Sequence, residues 1–196
     1  CWKITKSTLR LENEKDLENG RKRGLSGAML DRLALSDGVI EAMKSGLREV
    51  IALPDPVGSI ETLTRRPNNL LVGRMRVPLG VIAMIYESRP NVTVDAAALC
   101  LKAGNSVILR GGSEAFHSNM VLAKVIRRAL SQHNLPTDCV QVVPTTDRQG
   151  IHALLQHDEY IDLVIPRGWR RVDSHGSRKL QNSGAQTLQR GLPHLC

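Results

Sequence analysis

Short apolar runs alternating with helical stretches constrain this chain more than any other feature of it. Val81-Ile82-Ala83-Met84-Ile85, Ser106-Val107-Ile108-Leu109, Val140 to Val143 and Tyr160 to Ile165 are too short for core helices. The first two are continuous rather than alternating, which predicts strands buried on both faces. Helical segments separate them: Val92 to Lys102, closed by Gly104 at its C′ position, then Ser118 to Ser131 and Gly150 to Leu155. Strand and helix in strict alternation, joined by short connections, predict parallel βαβ units. The expected fold class is α/β, a Rossmann-like parallel sheet with helices on both faces. Ligands of such sheets bind at the carboxyl ends of the strands. The loops placed there are Tyr86 to Asn91, Arg110 to Glu114, Pro144 to Asp147 and Pro166-Arg167-Gly168.

Upstream, Asn13 to Arg23 is polar and charge-rich with Leu17 as its main apolar residue, predicting an exposed helix that ends near Gly20 or Gly24. Ser26 is placed to cap a second helix carrying Met29, Leu30 and Leu33. Ser36-Asp37 opens a third, with Val39, Ile40, Met43, Leu47, Val50 and Ile51 on one stripe, and Pro54-Asp55-Pro56 stops it. Glu61 to Arg76 reads as two extended arms about a Pro67-Asn68-Asn69 turn.

The net charge of +8 raises the question of a nucleic-acid partner. Half of it, +4, lies in Trp169 to Cys196, where Arg170, Arg171, Arg178, Lys179 and Arg190 face one acid, Asp173. Aromatics make up 3% of the chain, too few for base stacking along a basic face, so no nucleic-acid partner is expected. Phosphorylated small molecules suit the charge. No run approaches the roughly 18 apolar residues of a membrane span, and no signal-peptide pattern opens the chain. The cysteines Cys1, Cys100, Cys139 and Cys196 have neither metal-ligand nor Cys-x-x-Cys spacing. No membrane partner, no metal and a reducing, cytoplasmic setting are the expectations.

Two loops carry the chemistry. In Arg110-Gly111-Gly112-Ser113 the glycines would let backbone approach an anion closely, and the arginine offers a planar fork to phosphate oxygens. The alternative is a plain strand-to-helix turn. In Glu87-Ser88-Arg89-Pro90-Asn91, Asn91 is a candidate oxyanion donor or simply a helix N-cap, and Arg89 would meet a substrate carboxylate or phosphate. Cys100, in an apolar helix with no cationic neighbour, reads as a buried structural thiol.

Four separated blocks, in order, resemble the γ-glutamyl phosphate reductases of the aldehyde dehydrogenase superfamily. They are Val77-Pro78-Leu79-Gly80-Val81-Ile82, Tyr86-Glu87-Ser88-Arg89-Pro90-Asn91-Val92-Thr93, Gly104 to Gly112, and Tyr160 to Gly168. The segments Gly24-Leu25-Ser26, Ala28 to Leu33 and Asp55-Pro56-Val57-Gly58 also match, so the likeness runs from about Asn13 to Gly168. The resemblance implies part of an aldehyde dehydrogenase-type cofactor domain, and NADPH-dependent reduction of γ-glutamyl 5-phosphate to glutamate 5-semialdehyde in proline biosynthesis. It implies a cysteine thiolate that displaces phosphate, and a thioester that accepts hydride. It assigns Arg110, Gly111, Gly112 and Ser113 to the adenosine side of the cofactor, and Pro166, Arg167 and Gly168 to its nicotinamide end. Asn91 falls at the oxyanion. Intact relatives are expected to be homo-oligomers.

The family's nucleophilic cysteine lies far downstream, in a second domain expected to be absent here, so residues 1–168 read as N-terminal helices plus an incomplete cofactor domain. With Cys1 in place of Met, the natural start is also expected to be missing. Trp169 to Cys196 has no apolar pattern and is expected to be disordered. Back-translating Lys179 to His194 with suitable synonymous codons and shifting one nucleotide yields a family-like continuation, so the tail is expected to be a frameshift product. The chain itself is expected to be catalytically silent, a non-catalytic NADP-binding fragment being the other reading.

Overall fold

In the computed structural model, which describes residues 2–147, 149–157, 159–167 and 186–187, three helices come first: α1 (Trp2–Lys22), α2 (Gly27–Leu33) and α3 (Asp37–Ala52). A hairpin of β1 (Ile60–Arg65) and β2 (Leu71–Met75) follows. The remainder is β3 (Val81–Tyr86), α4 (Asn91–Lys102), β4 (Ser106–Arg110), α5 (Phe116–Gln132), β5 (Val140–Val142), α6 (Gln149–Gln156), β6 (Leu163–Arg167) and β7 (Gln186–Thr187). The main sheet has the order β5-β4-β3-β6-β7, every pair parallel.

The apolar runs form strands for the reason their continuity suggests. Ile82 and Tyr86 of β3 and Val107 and Leu109 of β4 pack under α4 with Val92, Ala96, Ala97 and Cys100. Ala83 and Ile85 face the opposite side with Ile161, Val164 and Leu154 of α6. Helices therefore cover both faces. Each fully buried Leu or Val contributes about 1.5–3 kcal/mol, which makes the central strands the anchor of the fold.

Two side chains align the amino ends of the strands. Asn105 Oδ1 accepts from the Leu79 and Gly80 amides at 2.6 and 3.0 Å, and Asp162 Oδ2 accepts from the Val81 amide at 2.8 Å. Gly80 has φ +118, and an added Cβ would lie 2.1 Å from that Asp162 oxygen, so only glycine fits the turn. With β3, β4 and β6 pinned at this end, their carboxyl ends fall in fixed register.

The sequence differs most from the structure at α1. Its predicted exposed helix instead buries Asn13, Asp16 and Gly20, one face at helical spacing. Asn13 donates to the Leu33 carbonyl and Ser118 Oγ, at 2.9 and 3.0 Å, and accepts from the Leu35 amide. Asp16 accepts from the His117 and Ser118 amides and the Ser118 hydroxyl at 2.7–3.0 Å. In the sequence this polar face reads as solvated because its partners lie 20 to 105 residues away.

The last predicted strand also shifts, from Tyr160–Ile165 to Leu163–Arg167. Tyr160 is spent in a turn, its amide donating to the His157 carbonyl, and the Asp162 carboxylate is committed to β3. Pro166 falls inside β6, in register with Ile85 of β3. No element was expected beyond Gly168, yet Gln186 and Thr187 add a parallel strand there; the rest of 168–196 lies outside the described residues. The β1–β2 hairpin forms as expected around Asn69, at φ 67, and all of its strand residues are exposed.

Candidate functional site

The chain winds outward from β3 through β4 to β5, then crosses back to add β6 on the other side of β3. Between β3 and β6 the connections leave in opposite directions, and the carboxyl ends open a crevice, the usual ligand position of such sheets. Tyr86 and Arg167 face each other in register at its floor.

The crevice has two lobes that share Met29, Tyr86, Glu87, Ser88 and Arg167. The first, about 270 Å³, adds Arg32, Arg89 and Val92. The second, about 380 Å³, adds Ile85, Arg110, Gly112, Ser113, Glu114 and Thr146. The structure brings Arg89, Arg110, Gly112, Ser113 and Arg167 to one crevice.

The residues within it play different parts from those first expected. Arg110 is 8% exposed; its guanidinium donates to the Gly111 and Thr146 carbonyls at 2.9 Å and reaches the Asp147 carbonyl at 3.5 Å. It ties the end of β4 to the β5–α6 loop rather than presenting its fork to solvent. Space beside the glycines is taken by the protein itself. A Cβ on Gly111 would meet Asn119, and one on Gly112 would lie 2.5 Å from Glu114 Oε2. Glu114 accepts from Ser88 Oγ at 3.1 Å, joining the β3–α4 and β4–α5 loops across the crevice.

Asn91 is not among the residues lining either lobe. It is the first residue of α4, after Pro90, and its amide points to Asp95 at 3.5 Å. Ser88 occupies the crevice instead, three residues earlier, because the tight turn in which the Arg89 amide donates to the Glu87 carbonyl faces it inward. Pro166 sits in β6 opposite Ile85, and Gly168 lies outside the described residues.

Sequence reasoning missed Met29 and Arg32 of α2, which close the crevice from outside the sheet, and Glu114. The signal for Met29 and Arg32 was present in the match of Ala28 to Leu33, which composition alone gave no reason to place near a strand end. Burial pushes the Tyr86 phenol up to about 12, and its hydroxyl lies 2.7 Å from Thr93 Oγ1, so Tyr86 is a neutral wall of the site. Burial likewise pushes the Cys100 thiol up to about 11, on the core-facing side of α4. Cys1 and Cys196 lie outside the described residues.

The crevice fits a nicotinamide dinucleotide. Glu114 offers carboxylate oxygens to ribose hydroxyls, and Arg89 and Arg167 complement phosphates. Among the described residues no group of three His, Cys, Asp or Glu side chains is arranged to hold a metal, and no helix is long and apolar enough to cross a membrane.

Comparison with known proteins gives the same picture. The model of the aldehyde dehydrogenase family matches residues 32–187. A gamma-glutamyl phosphate reductase of Desulfotalea psychrophila is 66% identical over 163 residues, which is 83% of this chain and 39% of that protein. The crystal structure of a gamma-glutamyl phosphate reductase from Thermotoga maritima superposes with a TM-score of 0.85 at 38% identity, over 97% of this chain and 45% of that one. The Saccharomyces cerevisiae counterpart gives 0.79 at 32% identity, over 95% and 47%. The chain spans about two-fifths of the length of the curated relatives it matches.

Proposed function

The chain belongs to the aldehyde dehydrogenase family, and from that premise we propose that it forms the cofactor-binding part of an NADPH-dependent reductase acting on γ-glutamyl 5-phosphate. The observation that carries the reading is the crevice at the β3/β6 switch point, lined by the loops in which the resemblance to those reductases is densest. The family's nicotinamide cofactor supplies hydride when bound. Ser113 and Glu114 would meet its ribose side, with Gly112 giving the backbone there its close approach to the Glu87–Ser88 turn. Arg89 and Arg167 lie at the other lobe, where the substrate's charge belongs. Arg110 acts indirectly, by holding the Thr146–Asp147 backbone. The proposed preference for NADPH over NADH follows the reductases that the chain resembles and the cationic crevice, not Arg110.

Turnover is not expected of this chain. An acyl phosphate is reduced through a thioester only if a thiolate is available beside the hydride donor. Of the cysteines among the described residues, Cys100 is buried in α4 and Cys139 lies in the turn before β5; neither lines the crevice.

Titration of the purified chain with NADPH, followed by nucleotide fluorescence, tests the reading. Saturable binding is expected, with no reduction of NADP in the presence of glutamate 5-semialdehyde and phosphate, the reverse reaction. A folded chain that fails to bind NADPH removes the cofactor reading, and turnover would show that a nucleophile had been overlooked.

A further inference from the structure

Three arginines from distant parts of the chain line the 270 Å³ lobe: Arg32 in the last turn of α2, Arg89 in the β3–α4 loop and Arg167 at the end of β6. We propose that together they form a cradle for a single phosphoryl group, with α2 as a clamp outside the sheet.

Placing three like charges on one lobe is unfavourable unless something neutralises them. Among the described residues no ion pair does so. Among the described residues, arginine ion pairs are made by Arg10, Arg21, Arg76 and Arg127, and none by these three. Glu87 is the single carboxylate on the lobe, and Asp95 acts on Arg167 only at longer range. Arg32 also complements the carboxyl end of α2, which explains a cation in that turn but not its convergence with two others.

A phosphoryl dianion is the ligand that this arrangement suits. Its oxygens diverge tetrahedrally, so forks arriving from three elements can each take a different pair, whereas one planar carboxylate is saturated by one or two. Met29, Val92 and the Tyr86 ring give the lobe an apolar wall on one side. All three arginines are exposed, so binding should weaken steadily with added salt.

Two sources supply tetrahedral phosphate oxygens: the acyl phosphate of the substrate, a dianion, and the cofactor's pyrophosphate, which carries one charge on each phosphorus. Assigning the cradle to the substrate rests on the reductase reading above; the cradle itself does not.

The test is titration of the full chain with inorganic phosphate at constant ionic strength, followed by phosphorus NMR, for the wild type and for Arg32→Gln, Arg89→Gln, Arg167→Gln and the control Arg23→Gln. Each of the first three should weaken phosphate binding about tenfold, the effect of losing one charge-assisted bond, while the control leaves it unchanged. Lysine at position 32 should restore part of the loss, which a misfolded variant would not. Phosphate that stays bound when NADP saturates the chain marks the substrate phosphoryl site; phosphate displaced by NADP marks the pyrophosphate site. Binding that is unchanged by Arg32→Gln, or equally weakened by Arg23→Gln, overturns the cradle. If NADPH fails to bind while phosphate still depends on the three arginines, the reductase reading falls and the cradle stands. If NADPH binds and phosphate does not, the reverse holds.

Discussion

Gly111 and Asn119 compete for one place: a Cβ on Gly111 would lie 2.1 Å from Asn119 Nδ2 and 3.2 Å from Tyr86 Cε2. Asn119 is buried at 2% exposure and accepts a hydrogen bond from Thr93 Oγ1 at 2.9 Å, and Thr93 in turn meets the Tyr86 hydroxyl. Residues from β3, α4, the end of β4 and α5 are thereby locked together directly under the crevice. The first glycine of the Arg-Gly-Gly-Ser turn is required by this packing.

Gly111→Ala should therefore destabilise the chain even with no ligand present. The new methyl must displace a side chain held by a buried hydrogen bond, an overpacking cost of about 1–3 kcal/mol. Urea unfolding of Gly111→Ala, Asn119→Ser and the double variant measures it. The two substitutions should be less than additive by about 1 kcal/mol, since the smaller serine vacates the contested space. Strict additivity would mean that the alanine is accommodated elsewhere.

Asp16 reaches from α1 to the start of α5, where it satisfies two amides and a hydroxyl that the helix cannot. Asp16→Ala should cost on the order of 2–3 kcal/mol, through lost capping and stranded buried donors. Hydrogen exchange would localise the damage: the His117 and Ser118 amides should lose protection before the sheet does. Uniform loss across the chain would show that α1 acts only as bulk packing.

The extent to which each feature is legible in the sequence follows from how local its cause is. Continuous apolar runs report strands buried on both faces, and β3 and β4 fall where Val81 to Ile85 and Ser106 to Leu109 suggest. Ser36 caps α3 through its own neighbour, the Val39 amide, and is equally readable. Asn13 and Asp16 are not, because a polar residue bonded across some 100 positions looks the same as one facing water. The crevice was predictable in position from topology, whereas the division of labour within it was not. Arg110 and the two glycines have the composition of an anion loop, yet their partners are the Thr146 carbonyl, Asn119 and Glu114. Arg32 joined the site only once α2 had a place in space.

Asp95 gives stability a pH dependence of predictable sign. Burial raises its carboxyl above the ordinary 3.8, outweighing the opposing pull of Arg167 and the bond from Asn91. The folded chain thus holds this proton to higher pH than the unfolded chain does. As pH rises from 3.8 through the raised folded value, the unfolded state ionises first and Asp95 costs stability. Asp95→Asn is free of that loss, so its stability relative to wild type should improve across the window and then level off. Urea unfolding at a series of pH values gives the comparison. A wild type that gains on the variant as pH rises would mean that Arg167 prevails and holds Asp95 ionised.

Cys100 should be almost inert in the folded chain. Its thiol is 6% exposed and pushed up to about 11, so at pH 8 the thiolate fraction is on the order of one in a thousand. Cys139 is half-buried in a turn and should react before Cys100. Iodoacetamide labelling with peptide mapping by mass spectrometry separates the two sites. Native labelling of Cys139 should be complete while Cys100 remains largely unmodified, and urea should bring both to similar rates, since unfolding removes the burial that protects the thiol. Rapid native labelling of Cys100, slowed by NADPH, would place a competent thiolate at the crevice and contradict the catalytic silence proposed for this chain.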